Sequence, residues 1–227
     1  MEPVTRTAQI DRRDMIISVC VCTYRRAGRL ALLLADLCAQ DIPIAEVVVV
    51  DNDAAASARA VVEARRTAAC PFRLIYAIQP ERNIALTRNR TVELASGEWL
   101  AFIDDDERAA PRWLSGLAAA ALRYEADGVL SPVEPLVPAN APAWIRRGRF
   151  YDFPRMASGE RVPLNRMRFG NVLLRGSVVR AEPGPFDGRY GLTCGEDGDL
   201  LIRLVDKGAK IVWFDDAPVF EPIERST

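Results

Sequence analysis

The chain has 227 residues, of which 49% are hydrophobic and 27% are charged, and its formal net charge is −1. This length allows one large domain with a substantial core, and the near-zero net charge argues against a general affinity for nucleic acid. No apolar run approaches the ~20 residues of a membrane span, and the N-terminus lacks the apolar region of a signal peptide. Histidine is absent, which excludes histidine-based catalytic triads and histidine-liganded zinc sites.

The five cysteines are scattered along the chain, at Cys20, Cys22, Cys38, Cys70 and Cys194. Cys20 and Cys22 lie two residues apart on a predicted strand, so they share one face and cannot easily bridge each other. An odd number of scattered cysteines is typical of reduced thiols, and we expect a cytoplasmic protein.

Residues 1–14 are polar and show no periodicity, so we expect a loose tail. After this tail, runs of β-branched residues alternate with Ala- and Leu-rich segments. The pattern predicts strands over 16–22, 46–50, 72–76 and 99–103 and helices over 29–39, 57–69, 85–95 and 111–124, with Ser57 as the N-cap of the second helix. This alternation predicts an α/β fold with a Rossmann-like, mostly parallel central sheet flanked by helices.

The character of the chain changes over residues 131–170, which hold six prolines, seven arginines and five aromatic residues. A long irregular segment inside a compact domain is usually functional or disordered. Order returns with a predicted strand over 171–175, a helix over 197–207 and a last strand over 210–214.

The run Asp104-Asp105-Asp106-Glu107 directly follows a predicted buried strand. Adjacent like charges repel each other, and a divalent cation removes that cost. Oxygen ligands alone select Mg²⁺ or Mn²⁺, which usually hold a substrate diphosphate on their open positions. The run therefore indicates a metal–diphosphate site at the carboxyl end of a strand. A solvated turn or a helix N-terminus is the alternative interpretation.

Two other strand ends should reach the same edge of the sheet. The first predicted strand ends at Thr23-Tyr24-Arg25-Arg26, and the second ends at Asp51. A hydroxyl, an aromatic ring, cations and a carboxylate suit a nucleotide diphosphate. The alternatives are a rim aromatic for Tyr24 and a turn residue for Asp51.

Three acids, Glu196, Asp197 and Asp199, open the predicted helix over 197–207. Acidic residues favour helix N-termini, and Asp199 can pair with Arg203 at i,i+4. Since histidine is absent, Glu196 and Asp197 are also the best candidates for a general base.

Six short blocks, in this order and spacing, resemble family 2 glycosyltransferases of the GT-A fold, and specifically bacterial exopolysaccharide transferases of the succinoglycan type. The resemblance covers roughly residues 16–225. The blocks are residues 21–26, 49–53, 83–89, 102–107, 170–175 and 195–204.

The resemblance implies a donor site for a UDP-sugar. Thr23, Tyr24 and Asp51 would hold the base, usually uracil, and Arg88 would reach the ribose or phosphates. Asp104 would lie near the ribose and the metal, and Asp106 would bind Mn²⁺ or Mg²⁺ directly. The remaining donor-site candidates are Arg26, Asn83 and Asp105.

The resemblance also implies an inverting hexosyl transfer to a hydroxyl of a glycan or lipid-linked oligosaccharide in surface polysaccharide synthesis. Asp197 would deprotonate the acceptor, and Glu196 would help to position it. We expect a nucleotide-binding half over about 15–130 and an acceptor half with the irregular segment over about 131–227.

The chain departs from the family pattern at several points. The C-terminal histidine that often binds the metal is missing, and Glu221 is the candidate substitute, with a solvated carboxylate as the alternative. Ala85 stands where the family usually has glycine. The end at Thr227, soon after the last predicted strand, would fit a short or truncated member.

The Arg- and aromatic-rich segment 144–169 suggests contact with a lipid-diphosphate-linked acceptor at the inner face of the plasma membrane. A mobile lid with solvated charges is the alternative.

Two other functions are alternatives to a glycosyltransferase. A nucleotidyltransferase would require a Gly-rich phosphate loop, which residues 23–28 do not provide. A non-catalytic scaffold of a polysaccharide assembly complex would not be expected to keep both carboxylate sets.

Overall fold

The computed structural model describes residues 11–138, 140–148 and 153–223. Within these residues the strands are β1 (Ile17–Thr23), β2 (Glu46–Asp51), β3 (Arg73–Ile78), β4 (Trp99–Ile103), β5 (Arg108–Ala109), β6 (Gly128–Leu130), β7 (Val133–Leu136), β8 (Asn171–Arg175), β9 (Ile211–Trp213) and β10 (Val219–Pro222). The α-helices are α1 (Ala27–Cys38), α2 (Arg59–Thr67), α3 (Ile84–Leu94), α4 (Trp113–Arg123), α5 (Ala143–Gly148), α6 (Gly176–Arg180) and α7 (Glu196–Asp206).

The main sheet has seven strands in the order β3-β2-β1-β4-β8-β6-β9. β1 pairs in parallel with β2 and β4, whereas β8 runs antiparallel to both of its neighbours. The predicted α/β fold with a mostly parallel sheet is therefore confirmed. Because β1, β2 and β4 run in one direction, their carboxyl ends meet at one edge, where ligands bind in such sheets.

Both faces of the sheet are buried, as the continuous apolar strands require. Val19 and Val47 pack into a cluster with α1 and α4, while Val48 and Leu100 pack on the opposite face with residues of α3 and α7. Successive side chains of a strand point to opposite faces, so each strand supplies both clusters.

A second, three-stranded sheet has the order β5-β10-β7. β10 pairs with β5, where Phe220 lies opposite Arg108. This pairing brings Glu221 close to the turn that contains Asp104 to Asp106, although more than 110 residues separate them in sequence.

β4 and β8 have the predicted bounds, and the other predicted elements shift by one or two residues at either end. The predicted N-cap Ser57 is wrong, because α2 begins at Arg59 and its N-cap is Ala58. The helix has no side-chain cap, and the backbone N–H of Ala58 donates to the carboxylate of Asp51.

Four strands, β5, β6, β7 and β10, were not predicted, and the strand over 211–213 is not the last. The four strands that were not predicted have only two to four residues each, too few to show an alternation of apolar and polar residues. Two of them, β7 and β10, contain proline. Their formation depends on partners that are distant in the sequence.

The division into a nucleotide half and an acceptor half stays a prediction. β6 belongs to the first half, whereas β8 and β9 come from the second half and extend the same sheet. Of the predicted tail, residues 1–10 lie outside the described residues, and residues 11–14 are an exposed turn.

All five cysteines lie within the described residues, and none is in a disulfide. Over the same part of the chain, no helix is both long and apolar enough to cross a bilayer.

Candidate active site

A cleft of about 550 Å³ opens at the carboxyl ends of β1 and β4. Eleven of the twelve predicted site residues line it: Thr23, Tyr24, Arg26, Asn83, Arg88, Asp104, Asp105, Asp106, Glu196, Asp197 and Glu221. Five separate parts of the chain therefore contribute polar groups to one cavity.

The turn after β4 is held by contacts to the end of β1 and the start of α1. Asp105 is buried and accepts hydrogen bonds from Thr23 Oγ1 at 2.7 Å and from Arg26 Nη1 at 3.1 Å. Asp106 Oδ2 lies 2.7 Å from Arg26 Nη1 and 3.0 Å from Arg29 Nη1. The three aspartates thus have different surroundings, and Asp104 is the most exposed of them.

The pKa values of several carboxylates in and near the cleft are shifted by burial and by neighbouring charges. Desolvation raises the pKa of Asp104, although Arg88 opposes this shift. Desolvation and then the charges of Asp106 and Asp104 raise the pKa of Glu221. Burial raises the pKa of Glu107, beneath the turn, well above its usual value. Glu221 lines the same cleft as the aspartates, which agrees with the direction of its shift.

Arg88, on α3, connects the two acidic parts of the cleft. Its Nη2 lies 3.6 Å from Asp104 Oδ1, and its Nη1 donates to Glu196 Oε1 at 2.5 Å. The guanidinium also stacks over Phe169 and Phe186, at 5.1 and 5.8 Å from the ring centroids. Because the side chain is only 11% exposed, Arg88 is a fixed bridge between the end of β4 and the start of α7.

Glu196 and Asp197 differ in their environments. Glu196 is buried, and burial raises its pKa while Arg88 lowers it. Among the described residues, no group donates to Glu196 Oε2. Asp197 is half-buried, and its Oδ2 accepts the backbone N–H of Phe169 at 3.0 Å. The predicted pair of Asp199 with Arg203 forms at 2.9 Å.

Asn83 forms part of the wall of the cleft. Its Oδ1 accepts the N–H of Leu86 and caps α3, while its Nδ2 donates to the carbonyl of Gly188. A Cβ on Gly191 would lie 2.1 Å from the Asn83 side chain, so only glycine fits there. Asn83 therefore anchors the loop that leads to Glu196.

Tyr24, which also lines the cleft, has two arginines close to its ring. The guanidinium carbons of Arg25 and Arg82 lie 5.1 and 5.0 Å from the centre of its ring. Such stacking fixes the orientation of the ring through cation–π attraction.

Asp51 is the predicted site residue that does not line the cleft. It is fully buried, and its carboxylate accepts hydrogen bonds from Ala58 N, Asp53 N and Tyr76 Oη. These contacts favour the alternative interpretation of Asp51 as a turn residue. Its contact with a base stays a prediction.

Sequence reasoning missed Asn52, Arg82 and Leu192, which also line the cleft, and Arg29, which contacts Asp106. Arg29 follows Arg26, the N-cap residue of α1, by three residues, a spacing that can bring both side chains to the same side of the helix start. That spacing could have identified Arg29, whereas no local pattern marks Leu192.

The donor atoms of the cleft fit an oxygen-preferring cation such as Mg²⁺ or Mn²⁺. Six carboxylates and three arginines line it, which leaves an excess of negative charge. In the described residues, however, no three acidic or cysteine side chains converge as a ready-made ligand set. The ligand chemistry therefore fits, although two arginines already contact one oxygen of Asp106, Oδ2.

The comparisons with known proteins identify the family of the chain. The model of Glycosyl transferase family 2 matches residues 18–175. Succinoglycan biosynthesis protein ExoM of Rhizobium meliloti (strain 1021) is 37% identical over 217 residues, which are 92% of this chain and 68% of that protein.

Two solved structures show the same fold at low sequence identity. TarS 1-349 of S. aureus in complex with UDP-GlcNAc has a TM-score of 0.72 at 19% identity, covering 94% of this chain and 60% of that chain. Mannosyltransferase PcManGT from Pyrobaculum calidifontis, in complex with GDP-Man and Mn²⁺, has a TM-score of 0.67 at 19% identity, covering 93% and 58%. The chain thus spans about three fifths of the length of these solved chains. From the family match and the identity to ExoM, we conclude that this chain belongs to glycosyltransferase family 2 and has the GT-A fold.

Proposed function

We propose that this glycosyltransferase moves a hexosyl group from a UDP-sugar to a hydroxyl of a glycan or lipid-linked saccharide in surface polysaccharide synthesis. One observation carries the proposal. The acidic turn after β4 and the Glu196–Asp197 pair of α7 face one cleft and are joined through Arg88.

The donor side of the cleft requires positive charge to bind a diphosphate. Six carboxylates against three arginines would repel an anionic ligand. We propose that Asp106 and Asp104, with Glu221 in place of the missing histidine, hold Mn²⁺ or Mg²⁺. When bound, the cation would neutralise the diphosphate and the charge that develops on it as it leaves.

Among the protein groups, the ring of Tyr24 would contact the nucleobase, and Thr23 and Asn83 would support the walls of the donor site. Arg26 is half-exposed and lines the cleft, so it can reach a phosphate. Arginine suits this role because its planar guanidinium binds phosphate oxygens through two N–H groups.

The acceptor side would use Asp197 as the base. The N–H of Phe169 holds one oxygen of this carboxylate, which orients the other toward an acceptor. As the acceptor oxygen bonds to the anomeric carbon, the bond from that carbon to the diphosphate breaks, and Asp197 takes the hydroxyl proton. Attack opposite the leaving diphosphate inverts the anomeric centre. Glu196, tied to Arg88, positions the start of α7.

The segment 144–169 supports a further part of the proposal, contact with a membrane surface that carries the acceptor. Trp144, Phe153 and Leu164 are 65%, 53% and 46% exposed. Arg155 is bound to Asp215 and Glu134, so it holds this segment in place. Residues 149–152 of the predicted contact segment lie outside the described residues.

Calorimetric titration of UDP with and without Mn²⁺ tests the donor site. We expect binding that depends on the metal and that Asp106→Asn weakens by at least about tenfold, because one carboxylate ligand is lost. GDP serves as the comparison nucleotide and should bind more weakly. Equal UDP affinity with and without metal would contradict the metal-dependent proposal, and tighter binding of GDP would contradict the proposed donor.

A further inference from the structure

The carboxylate of Asp106 already has cationic partners in the structure. A single oxygen, Oδ2, lies 2.7 Å from Arg26 Nη1 and 3.0 Å from Arg29 Nη1. Arg26 is the N-cap residue of α1 and Arg29 lies in its first turn. The Asp106 side chain is only 14% exposed. Two guanidinium groups therefore converge on the carboxylate that we propose as the direct metal ligand.

A guanidinium and a divalent cation compete for such a carboxylate. Arginine stays protonated at all physiological pH values, so it cannot release the oxygen by losing a proton. Each positive charge a few ångströms from a metal site also lowers the affinity for the metal. In the absence of nucleotide, Asp106 should accordingly be a weak metal ligand.

The two arginines differ in what they can do when the donor arrives. Arg26 lines the cleft, has a 52% exposed side chain and also contacts Asp105. Arg29 lies in the first turn of α1, has a 25% exposed side chain and does not line the cleft. Arg26 can turn toward a diphosphate, whereas Arg29 stays beside Asp106.

We propose that the guanidinium groups of Arg26 and Arg29 occupy the carboxylate of Asp106 in the absence of nucleotide. Metal binding to Asp106 then depends on the nucleotide. The diphosphate draws Arg26 away, and Asp106 then becomes available to the metal. By linkage, the metal must strengthen nucleotide binding by the same factor. This inference rests on the proposed function, because it takes the diphosphate and the metal as ligands of the cleft.

Mn²⁺ binding, followed by the electron paramagnetic resonance signal of the free ion, tests the inference without measuring activity. In the absence of nucleotide, Arg29→Gln should bind Mn²⁺ at least about tenfold more tightly than the wild type, because a nearby positive charge is gone. Arg26→Gln should also bind Mn²⁺ more tightly but should bind UDP more weakly. The double variant should show a smaller effect of UDP on Mn²⁺ affinity than the wild type.

Arg90→Gln is the matched control, because Arg90 forms a surface pair with Glu93 outside the cleft. It removes the same charge and should leave Mn²⁺ affinity unchanged. If Arg29→Gln and the double variant bind Mn²⁺ like the wild type while UDP still binds with the metal, the inference is overturned and the proposed function stands. If no variant binds Mn²⁺, with or without UDP, both the inference and the metal-dependent function fail.

Discussion

Glu196 and Asp197 are neighbours in the chain, but the structure gives them different surroundings. Glu196 points into a buried ion pair with Arg88, whereas Asp197 is half-buried and is fixed by one backbone N–H. A general base must reach the acceptor proton, which requires a carboxylate that is accessible from the cleft. This condition favours Asp197 as the base and Glu196 as a positioning residue.

Replacing Asp197 by Asn should reduce the rate of sugar transfer by about 10²–10⁴, the usual contribution of a general base. Affinity for UDP should change by less than about twofold, because Asp197 is not assigned to the donor. Transfer from radiolabelled UDP-sugar and calorimetry with UDP measure the two effects separately.

Asp199→Asn is the matched control for that substitution. Asp199 is another acid of the first turn of α7, but it pairs with Arg203 and does not line the cleft. We expect nearly normal transfer from it. Equal losses in both variants would mean that the acids serve only the helix N-terminus.

At the scale of the elements, the position of α7 depends on a buried contact with the segment after α6. Glu182 has a 4% exposed side chain and binds Lys207 Nζ at 2.5 Å and Arg203 Nη1 at 2.6 Å. Lys207 and then Arg203 lower the pKa of Glu182 against the opposing effect of burial. The contact holds the C-terminal half of the helix that carries Glu196 and Asp197 at its start.

Glu182→Gln should lower the free energy of unfolding at pH 7 by about 1.5–3 kcal/mol, the range for hydrogen bonds to charged groups. The folded pKa is below the unfolded pKa, so this stability is present above about pH 4.3 and is lost as pH falls through the folded pKa. Urea unfolding at pH 7 and in acid should therefore show a difference that shrinks at low pH.

Glu63→Gln provides the control, because Glu63 forms an exposed i,i+3 pair with Arg66. Exposed pairs contribute about 0–1 kcal/mol, so its effect should be small at every pH. If Glu182→Gln is as stable at pH 7 as Glu63→Gln, the contact of Glu182 with Lys207 and Arg203 does not stabilise α7.

At the scale of the whole molecule, the exposed aromatic side chains of segment 144–169 lead to a prediction about membranes. The protein should sediment with vesicles that contain phosphatidylglycerol, at low salt, and much less with phosphatidylcholine alone. Added salt should release it, because screening weakens attraction between surface charges over about 10 Å at 0.1 M.

Trp144→Ser should weaken this sedimentation, since Trp144 is the most exposed aromatic side chain in the described residues. Leu32→Ser, which removes a 50% exposed apolar side chain from α1, is the control and should have no effect. Absence of sedimentation with anionic vesicles at low salt would remove the membrane contact from the proposal and leave the donor site intact.

The sequence by itself determined the central strands, their alternation with helices and most of the polar residues of the cleft. These features are local: a buried parallel strand is continuously apolar, and its end is marked by the carboxylates that follow it. The order of the blocks also indicated the family, which the comparisons confirm.

Only the tertiary structure decided which of these residues share contacts. Glu221 reaches the cleft that the aspartates line through the pairing of β10 with β5, a strand of two residues with no sequence pattern of its own. Asp51 follows the same strand-end pattern as Asp104, yet the turn and Tyr76 take up its carboxylate. Arg88 joins Asp104 to Glu196 across 92 positions of the chain. Such contacts arise from packing between distant segments, and local periodicity carries no information about them.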